Sequence, residues 1–382
     1  MRVMFSCVAA FGHFHPLVPL ARAFAEEGHE VAFATSGSFA EHVEAAGFDL
    51  LPAGMDGAEL RVRFAPYRER LLELPISERR PFAFTWRFGT LEAPAKLDEL
   101  KEVVGTWRPE LVVHESADLA APIVAAAAGL PSVHHSFGRL VPTACFERAA
   151  AATVSLWEAL GLAPEPLCGA FRGVYVDNCP PSFQSARPPA GTVVEPVRPL
   201  YPAAKSEAPP VWLAALPDRP TVYVTLGTVH NDLSVFRVLL DALAPLDLNV
   251  VVTIGRDNDP RALEPVPPNA VVERYVAQSF LLGLAAVVVS HGGSGSTLAT
   301  LAAGLPSLLV PQGADQFENA DQCADLGVGI VLLPGEVTPE PVRASVEHLL
   351  AESSYRERAR AMATEIAALP HPREVASRLA AG

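Results

Sequence analysis

The sequence predicts an α/β protein of two halves built on parallel sheets, and three observations carry that expectation. Short apolar runs alternate with amphipathic stretches from Val3 onward; the alternation stops in a proline-rich middle and restarts at Thr221. The 382 residues, 50% hydrophobic and 19% charged, supply apolar surface for two cores, and at roughly 150 residues per domain the length corresponds to about 2.5 domains. The 36 prolines and 26 glycines are high for a helical bundle and suit many short strand-to-helix connections.

Taken in order, the apolar run at 3–9 (VMFSCVA) reads as a strand, Pro16 opens an amphipathic helix, and Gly28 closes it. A second strand follows at 30–35, a helix at 39–46 and a third strand at 48–52. Such alternation argues for parallel strands joined by right-handed crossovers. Residues 111–113 and 132–134 read as later strands of the same sheet, with a helix at 117–128 between them. From 54 to 100 the pattern is less regular, and arginines mix with Phe64, Tyr67, Phe82, Phe84, Trp86 and Phe88. That segment reads either as a pocket wall or as a solvated helical excursion. Eleven prolines between 180 and 220 mark an interdomain linker. Beyond it, strands are expected at 221–225, 249–254, 270–275, 286–290, 307–311 and 329–333. Helices are expected at 234–244, 279–284, 297–303 and 319–326, with a last long one from Pro339. The chain shows no repeat of the length that solenoids or propellers require.

The balance of 29 basic and 43 acidic residues leaves a net charge of −14, which repels phosphate backbones and anionic lipid surfaces, so neither nucleic acid nor membrane is an expected partner. Cys7, Cys145, Cys168, Cys179 and Cys323 are odd in number and widely spaced, without a CxxC pair. Neither a disulfide framework nor a zinc site is indicated, and a reducing, cytoplasmic setting is expected. Met1 and Arg2 lead straight into strand residues, and no apolar span of about 18 residues occurs, so neither secretion nor membrane insertion is expected.

In open parallel sheets, ligands bind beyond the carboxyl ends of the strands. Three loops there hold chemistry. The first, Gly12-His13-Phe14-His15-Pro16, uses Gly12 for a tight turn and holds His13 or His15 at a strand tip, where an imidazole accepts a proton near neutral pH. A structural hydrogen-bonding role is the plainer alternative for either histidine. GxGxxG spacing is absent, which argues against nicotinamide dinucleotide binding. The second loop, Thr225-Leu226-Gly227-Thr228, offers a glycine for close approach and hydroxyls for phosphate oxygens, or a simple strand-end turn. The third, His291-Gly292-Gly293-Ser294-Gly295-Ser296-Thr297, leaves an apolar strand and enters a helix. Small residues, a helix N-terminus and hydroxyl donors make it an anion cradle, while the missing Gly-Lys-Ser/Thr ending excludes a nucleoside-triphosphatase loop. Asp315 and Gln316 leave the next strand as a carboxylate beside an amide, suited to sugar hydroxyls; Asp315 also suits a helix cap.

Together these residues closely resemble the family 1 glycosyltransferases, specifically the bacterial branch that decorates natural products. The carrying motifs are GHFHPLVPLARAFAEEGHEV at 12–31, TLGT at 225–228, VVERYVAQSFLL at 271–282 and HGGSGSTLATLAAGLPSLLVPQGADQFENA at 291–320. The resemblance implies the GT-B architecture, two Rossmann-like α/β domains with parallel sheets facing a central cleft. The implied division is an acceptor domain at 1–205, a linker end at 206–218, a donor domain at 219–368, and a C-terminal helix at 369–382 packing back onto the first domain. It implies inverting transfer of a hexose or deoxyhexose from a dTDP- or UDP-sugar to a hydroxyl of a hydrophobic aglycone, polyketide, macrolide or aromatic. No metal and no cofactor beyond the sugar nucleotide are implied, and the enzyme is expected as a monomer or homodimer.

By the same resemblance His13 is the general base. Donor contacts are expected from Gly227, Thr228, Tyr275, Val276, Gln278, His291, Gly292, Gly293, Ser294, Gly295, Ser296, Thr297, Asp315 and Gln316, and acceptor contacts from Phe14, His15, Phe64, Phe84, Trp86 and Phe137. The sequence departs from the family pattern at the partner of the base and beside the base itself. Relatives often orient the base with an Asp after the fourth strand, where this chain reads His114-Glu115-Ser116-Ala117-Asp118; Glu115 is the first candidate, Asp118 the second, and either also suits a helix cap. His15 stands where relatives commonly carry Asn, and Tyr275 where many carry Trp. Two other readings keep the fold: a sugar-nucleotide 2-epimerase, and a non-catalytic nucleotide-sugar-binding auxiliary protein.

Overall fold

The computed structural model describes residues 1–200, 208–227, 232–256 and 258–381. Residue contacts divide the chain into one unit of Met1–Cys179, Gln184–Arg198 and Leu369–Gly382, and a second of Pro180–Phe183 and Pro199–Ala368.

The first unit contains β1 (Arg2–Ser6), β2 (Glu30–Thr35), β3 (Asp49–Pro52), β4 (Leu111–Glu115), β5 (Ser132–His135), β6 (Val174–Asp177) and β7 (Val193–Pro196). They form one sheet in the order β3-β2-β1-β4-β5-β6-β7, each neighbouring pair parallel. Its helices are α1 (Phe11–Phe14), α2 (Val18–Glu26), α3 (Ala40–Ala45), α4 (Gly57–Glu73), α5 (Ile76–Phe84), α6 (Ala93–Trp107), α7 (Ala121–Ala127) and α8 (Thr143–Ala159), with a π-helical turn at Thr85–Glu92. Because the sheet is buried on both faces, its central strands carry continuous apolar runs, 3–5 in β1 and 111–113 in β4, and successive side chains feed opposite cores. Phe5 and Val113 pack with Phe14, Phe24 and Phe33 on one face, while Met4 and Val112 pack with Ile123, Phe146 and Trp157 on the other.

The second unit contains β8 (Thr221–Thr225), β9 (Asn249–Thr253), β10 (Ala270–Glu273), β11 (Ala285–Ser290), β12 (Ser307–Leu309) and β13 (Gly329–Val331), in the parallel order β10-β9-β8-β11-β12-β13. Its helices are α9 (Leu233–Leu243), α10 (Gln278–Leu282), α11 (Ser294–Ala302), α12 (Gln316–Asp325), α13 (Pro339–Ala351) and α14 (Ser353–Ala368). The last helix, α15 (Pro372–Ala380), belongs to the first unit: Val375 and Ala376 are fully buried in its core, and Arg373 pairs with Glu26 at 2.5 Å. Its start is fixed by a capping box, the His371 ring accepting from the Arg373 N–H and Glu374 accepting from the His371 N–H.

Several elements differ from the sequence expectation. The proline-rich middle is not a plain linker, since β7 lies within it at the sheet edge, where Pro196 removes no interior ladder bond. The expected linker end at 206–218 includes the single-turn helix Val211–Ala215, whose Trp212 and Leu213 pack against the second unit's Tyr223 and Val251. The 54–100 segment is helical from Gly57 onward apart from a break at Leu74 and Pro75, with Pro66 inside α4 and Pro81 inside α5. The helix expected from Ala117 starts at Ala121, because Asp118 instead accepts from the Ala121 N–H at 3.1 Å and folds the preceding residues into a turn. The long helix expected from Pro339 is two, and β6 and α8 appear where no element was read. Gly12 lies within α1, outside the left-handed region, so no tight turn depends on it. Among the described residues no helix is long and apolar enough to cross a membrane.

Candidate active site

Both sheets reverse strand order at one place. In the first unit the chain moves from β1 outward to β3 and then resumes beside β1 with β4; in the second it moves from β8 to β10 and resumes beside β8 with β11. Open α/β sheets place ligands at such switch points, beyond the carboxyl ends of the strands. His13 follows β1 and Glu115 ends β4; Gly227 follows β8 and His291 follows β11.

At the first switch point His13 Nδ1 lies 3.0 Å from Glu115 Oε2, with the histidine side chain 14% exposed and the glutamate fully buried. Glu115 also accepts from the Ala117 N–H at 2.6 Å and the Val8 N–H at 3.3 Å, so its carboxyl serves as an acceptor throughout. Nδ1 therefore carries the imidazole proton and Nε2 presents a lone pair, the form that takes a proton. Asp118 does not reach this histidine. Its carboxylate accepts from Ser6 Oγ at 2.6 Å and Lys96 Nζ at 2.7 Å. Burial pushes the Asp118 carboxyl up, and the adjacent Lys96 charge with the Lys96 and Ser6 hydrogen bonds outweighs it, holding the group below the ordinary carboxylate range.

Aromatic rings border His13, though not all those expected. Phe137 stands edge-on to the imidazole at 4.7 Å, and Phe88, supplied by the π-helical turn and absent from the expected acceptor set, lies at 5.6 Å. Trp86 stacks on Tyr67 at 4.3 Å, and Phe64 joins them at 6.1 Å from Tyr67, making a second, half-buried aromatic group. Phe14 and Phe84 are corrections to the expected acceptor contacts. Phe14 occupies the inward side of α1 against Phe33 and Phe39, and Phe84 packs on Phe146 in the core. The exposed His15 leans on the Phe11 ring, while the Glu115 carboxylate selects His13.

At the second switch point the helix α11 begins at Ser294, three residues earlier than expected, which places the N–H groups of Ser294, Gly295 and Ser296 in its first turn, ahead of any intrahelical acceptor. His291 fills the space that two glycines leave. A Cβ at Gly227 would stand 2.6 Å from its ring, and one at Gly293 2.5 Å. Gly292 adopts φ +81°, and a Cβ there would meet the Gln316 carbonyl at 3.0 Å. Thr297 Oγ1 is buried with no hydrogen-bond partner among the described residues. Thr228 lies outside the described residues.

Asp315 does not cap α12 with its side chain. Its Oδ2 accepts from Ser294 Oγ at 2.6 Å and Asn319 Nδ2 at 3.0 Å, and Asn319 Nδ2 also donates to the Gly292 carbonyl at 2.9 Å. Asn319 was not singled out in the sequence, yet it ties the 315–316 loop to Gly292 and Ser294 at the start of α11. Gln316 Oε1 accepts from the Gln312 and Gly313 N–H groups at 2.7 and 3.0 Å, which turns its oxygen inward. Tyr275 is 47% exposed, with the Arg256 guanidinium 3.9 Å above its ring. The Val276 side chain is in the core, and Gln278 opens the short helix α10. Among the described residues no group of three His, Cys, Asp or Glu side chains is arranged to hold a metal ion.

Comparison with known proteins gives the geometry its context. Residues 22–227 match the family of erythromycin biosynthesis protein CIII-like N-terminal domains, and residues 237–381 the corresponding C-terminal domains. The chain is 33% identical to the L-demethylnoviosyl transferase of Streptomyces niveus, over 100% of this chain and 98% of that protein. It is 30% identical to the 3-alpha-mycarosylerythronolide B desosaminyl transferase of Saccharopolyspora erythraea, over 98% of this chain and 96% of that one. Among solved structures, the glycosyltransferase SsfS6 of Streptomyces sp. SF2575, complexed with thymidine diphosphate, superposes with a TM-score of 0.81 at 25% identity, covering 100% of both chains. With matching domains along nearly its whole length, the chain belongs to the erythromycin biosynthesis protein CIII-like family and is a GT-B glycosyltransferase of the bacterial natural-product branch.

Proposed function

We propose that the protein transfers a hexose or deoxyhexose from a thymidine diphosphate sugar, with the uridine diphosphate sugar as the second choice of donor, to a hydroxyl of a hydrophobic aglycone, with inversion at the anomeric carbon. The observation that carries this reading is the His13–Glu115 pair, 3.0 Å apart at the first switch point. In the proposed reaction, His13 Nε2 takes the acceptor hydroxyl proton as the oxygen bonds to the anomeric carbon. The bond from that carbon to the diphosphate breaks, and its electron pair leaves on the phosphate oxygen. Glu115 stabilises the imidazolium that results. The first-turn N–H groups at 294–296, His291 and the hydroxyls of Ser296 and Thr297 are assigned to the leaving diphosphate, a donor set that acts through dipoles and hydrogen bonds without a resident metal.

Thymidine is preferred because a similar structure carries thymidine diphosphate, and Tyr275 is assigned to its base. Asp315 and Gln316 are assigned to the sugar, and Phe88, Phe137 and the Trp86 group to the aglycone. A polyketide, macrolide or aromatic acceptor suits these rings, in the cytoplasm, with the enzyme as a monomer or homodimer. The test is incubation with thymidine and uridine diphosphate sugars and a panel of such acceptors, with and without chelator, reading product mass and anomeric configuration. Inverted product formed in chelator is expected; a His13→Ala variant with full turnover overturns the assignment of the base.

A further inference from the structure

We propose that Lys96 is a positioning residue for the His13–Glu115 pair, acting on it through one peptide group. Lys96 Nζ donates to the Cys7 carbonyl at 2.9 Å, and the N–H of that same peptide unit, belonging to Val8, donates to Glu115 Oε1 at 3.3 Å. The Cys7–Val8 peptide is thus held on one side by an ammonium and on the other by the carboxylate that orients His13. The ammonium is fully engaged: its other two bonds go to the Ala34 carbonyl at 3.0 Å and Asp118 Oδ2 at 2.7 Å, which matches the three donors of a lysine. The side chain is 4% exposed. One buried cation therefore joins the ends of β1 and β2 to the loop that follows β4, and these three segments surround the first switch point.

The charges support the same role. Glu115 and Asp118 are two buried carboxylates three residues apart. Lys96 offsets Asp118, which leaves the Glu115 charge to face His13. The other titratable groups near Glu115 are the Cys7 thiol at the end of β1, His114 on β4 and His135 on β5; burial raises the thiol and lowers both imidazoles, so all three stay uncharged near neutral pH. None of them replaces the lysine. The sequence carries the matching signal: Lys96 falls on the apolar stripe of α6 formed by Ala93, Leu97, Leu100 and Val103.

The inference rests on the reading of His13 as base, and the experiment separates the two. Lys96→Met, Lys96→Arg and Ser6→Ala are compared with the native protein by kcat and KM for glycosyl transfer and by 15N NMR of the His13 ring above its titration, where the tautomer is visible. Lys96→Met is expected to lower kcat by up to about 100-fold with KM for the donor little changed, and to mix the Nδ1–H tautomer with Nε2–H. Lys96→Arg keeps the charge and recovers part of both, while Ser6→Ala, which leaves the Lys96–Cys7 carbonyl bond in place, keeps the native kcat and tautomer. A folded Lys96→Met with native kcat and a pure Nδ1–H tautomer overturns the proposal. Should that variant not fold, a folded Lys96→Arg with native kcat and a pure Nδ1–H tautomer overturns it. Failure of the base reading is a different result: His13→Ala then retains turnover while Lys96→Met still mixes the tautomers.

Discussion

His13 and Glu115 are 102 residues apart in the chain, yet the Glu115 carboxylate reaches the histidine ring at 3.0 Å because β1 and β4 are neighbours at the point where the sheet reverses. Replacing the carboxylate by an amide keeps the shape, removes the negative charge beside the imidazole and turns one of the two acceptor positions into a donor that faces an N–H. Glu115→Gln is therefore expected to reduce kcat by about 10²- to 10⁴-fold, as loss of general-base assistance does, with the donor KM preserved. Steady-state kinetics at saturating acceptor check this.

The His291 ring depends on the absence of a Cβ at Gly293, whose backbone is not left-handed, so the effect of substitution there is steric. Gly293→Ala is expected to displace the ring and weaken thymidine diphosphate binding at least ten-fold, within the roughly 1–3 kcal/mol typical of overpacking. Calorimetric titration of the nucleotide measures it, and unchanged affinity rules the steric account out.

Asp315 gathers bonds from Ser294 and Asn319. Asp315→Ala leaves both donors without this acceptor and is expected to cost about 1–3 kcal/mol of stability as well as donor affinity. Ser294→Ala removes one bond only and is expected to have the smaller effect on both. Chemical denaturation and donor titration on the two variants give the comparison.

Tyr275 is exposed and covered on one face by Arg256. If the nucleotide base meets this ring, Tyr275→Ala raises the donor KM with kcat little changed, whereas Tyr275→Trp retains the native KM. A native KM in Tyr275→Ala removes the ring from the binding site.

Stability is expected to fall in mild acid. Burial lowers the imidazoles of His114 and His134 and brings His135 to about 4, so below about pH 6.5 the unfolded chain binds protons that the folded chain does not. Stability is complete above that pH and is lost as pH falls toward 4, by at most about 1.4 kcal/mol per pH unit for each group. Asp177 opposes this. Burial raises its carboxyl to about 6, so its contribution is greatest below the unfolded value of 3.8 and disappears as pH rises through 6. Three imidazoles against one carboxyl give a net decline in Tm between pH 6.5 and 5, and His135→Gln is expected to flatten it.

How legible all this was follows from what each element does. Strands such as β4 and β11, buried on both faces, could be read from the apolar runs at 111–113 and 285–289, and the loops leaving them stand at the two switch points. The helix α4 could be read only as one of two alternatives, a solvated helical excursion, because it buries no residue and so has no apolar stripe to show. The edge strand β7 exposes Val193 and Val194 and ends in proline, which reads as loop. At the site, a motif singles out His13, but only the fold distinguishes Glu115 at the end of β4 from Asp118 three residues on, since their partners come from different strands and helices. Phe14 and Phe84 were misplaced for a related reason: an aromatic residue near a reactive one in sequence is as readily core as pocket, and helix phase decides which.

The last helix has a consequence for how the protein is made. α15 fills the core of the first unit against α2, and Arg373 reaches Glu26 across 347 residues. A ribosome that has passed Arg198 must still synthesise Pro199–Ala368 of the second unit before supplying the piece that completes the first. The second unit has all its strands and can close during synthesis, while the first waits with apolar surface around Leu20 and Phe24 uncovered. The unit made first is the one finished last, and the interval between them is when the nascent chain is most exposed to aggregation and to proteases.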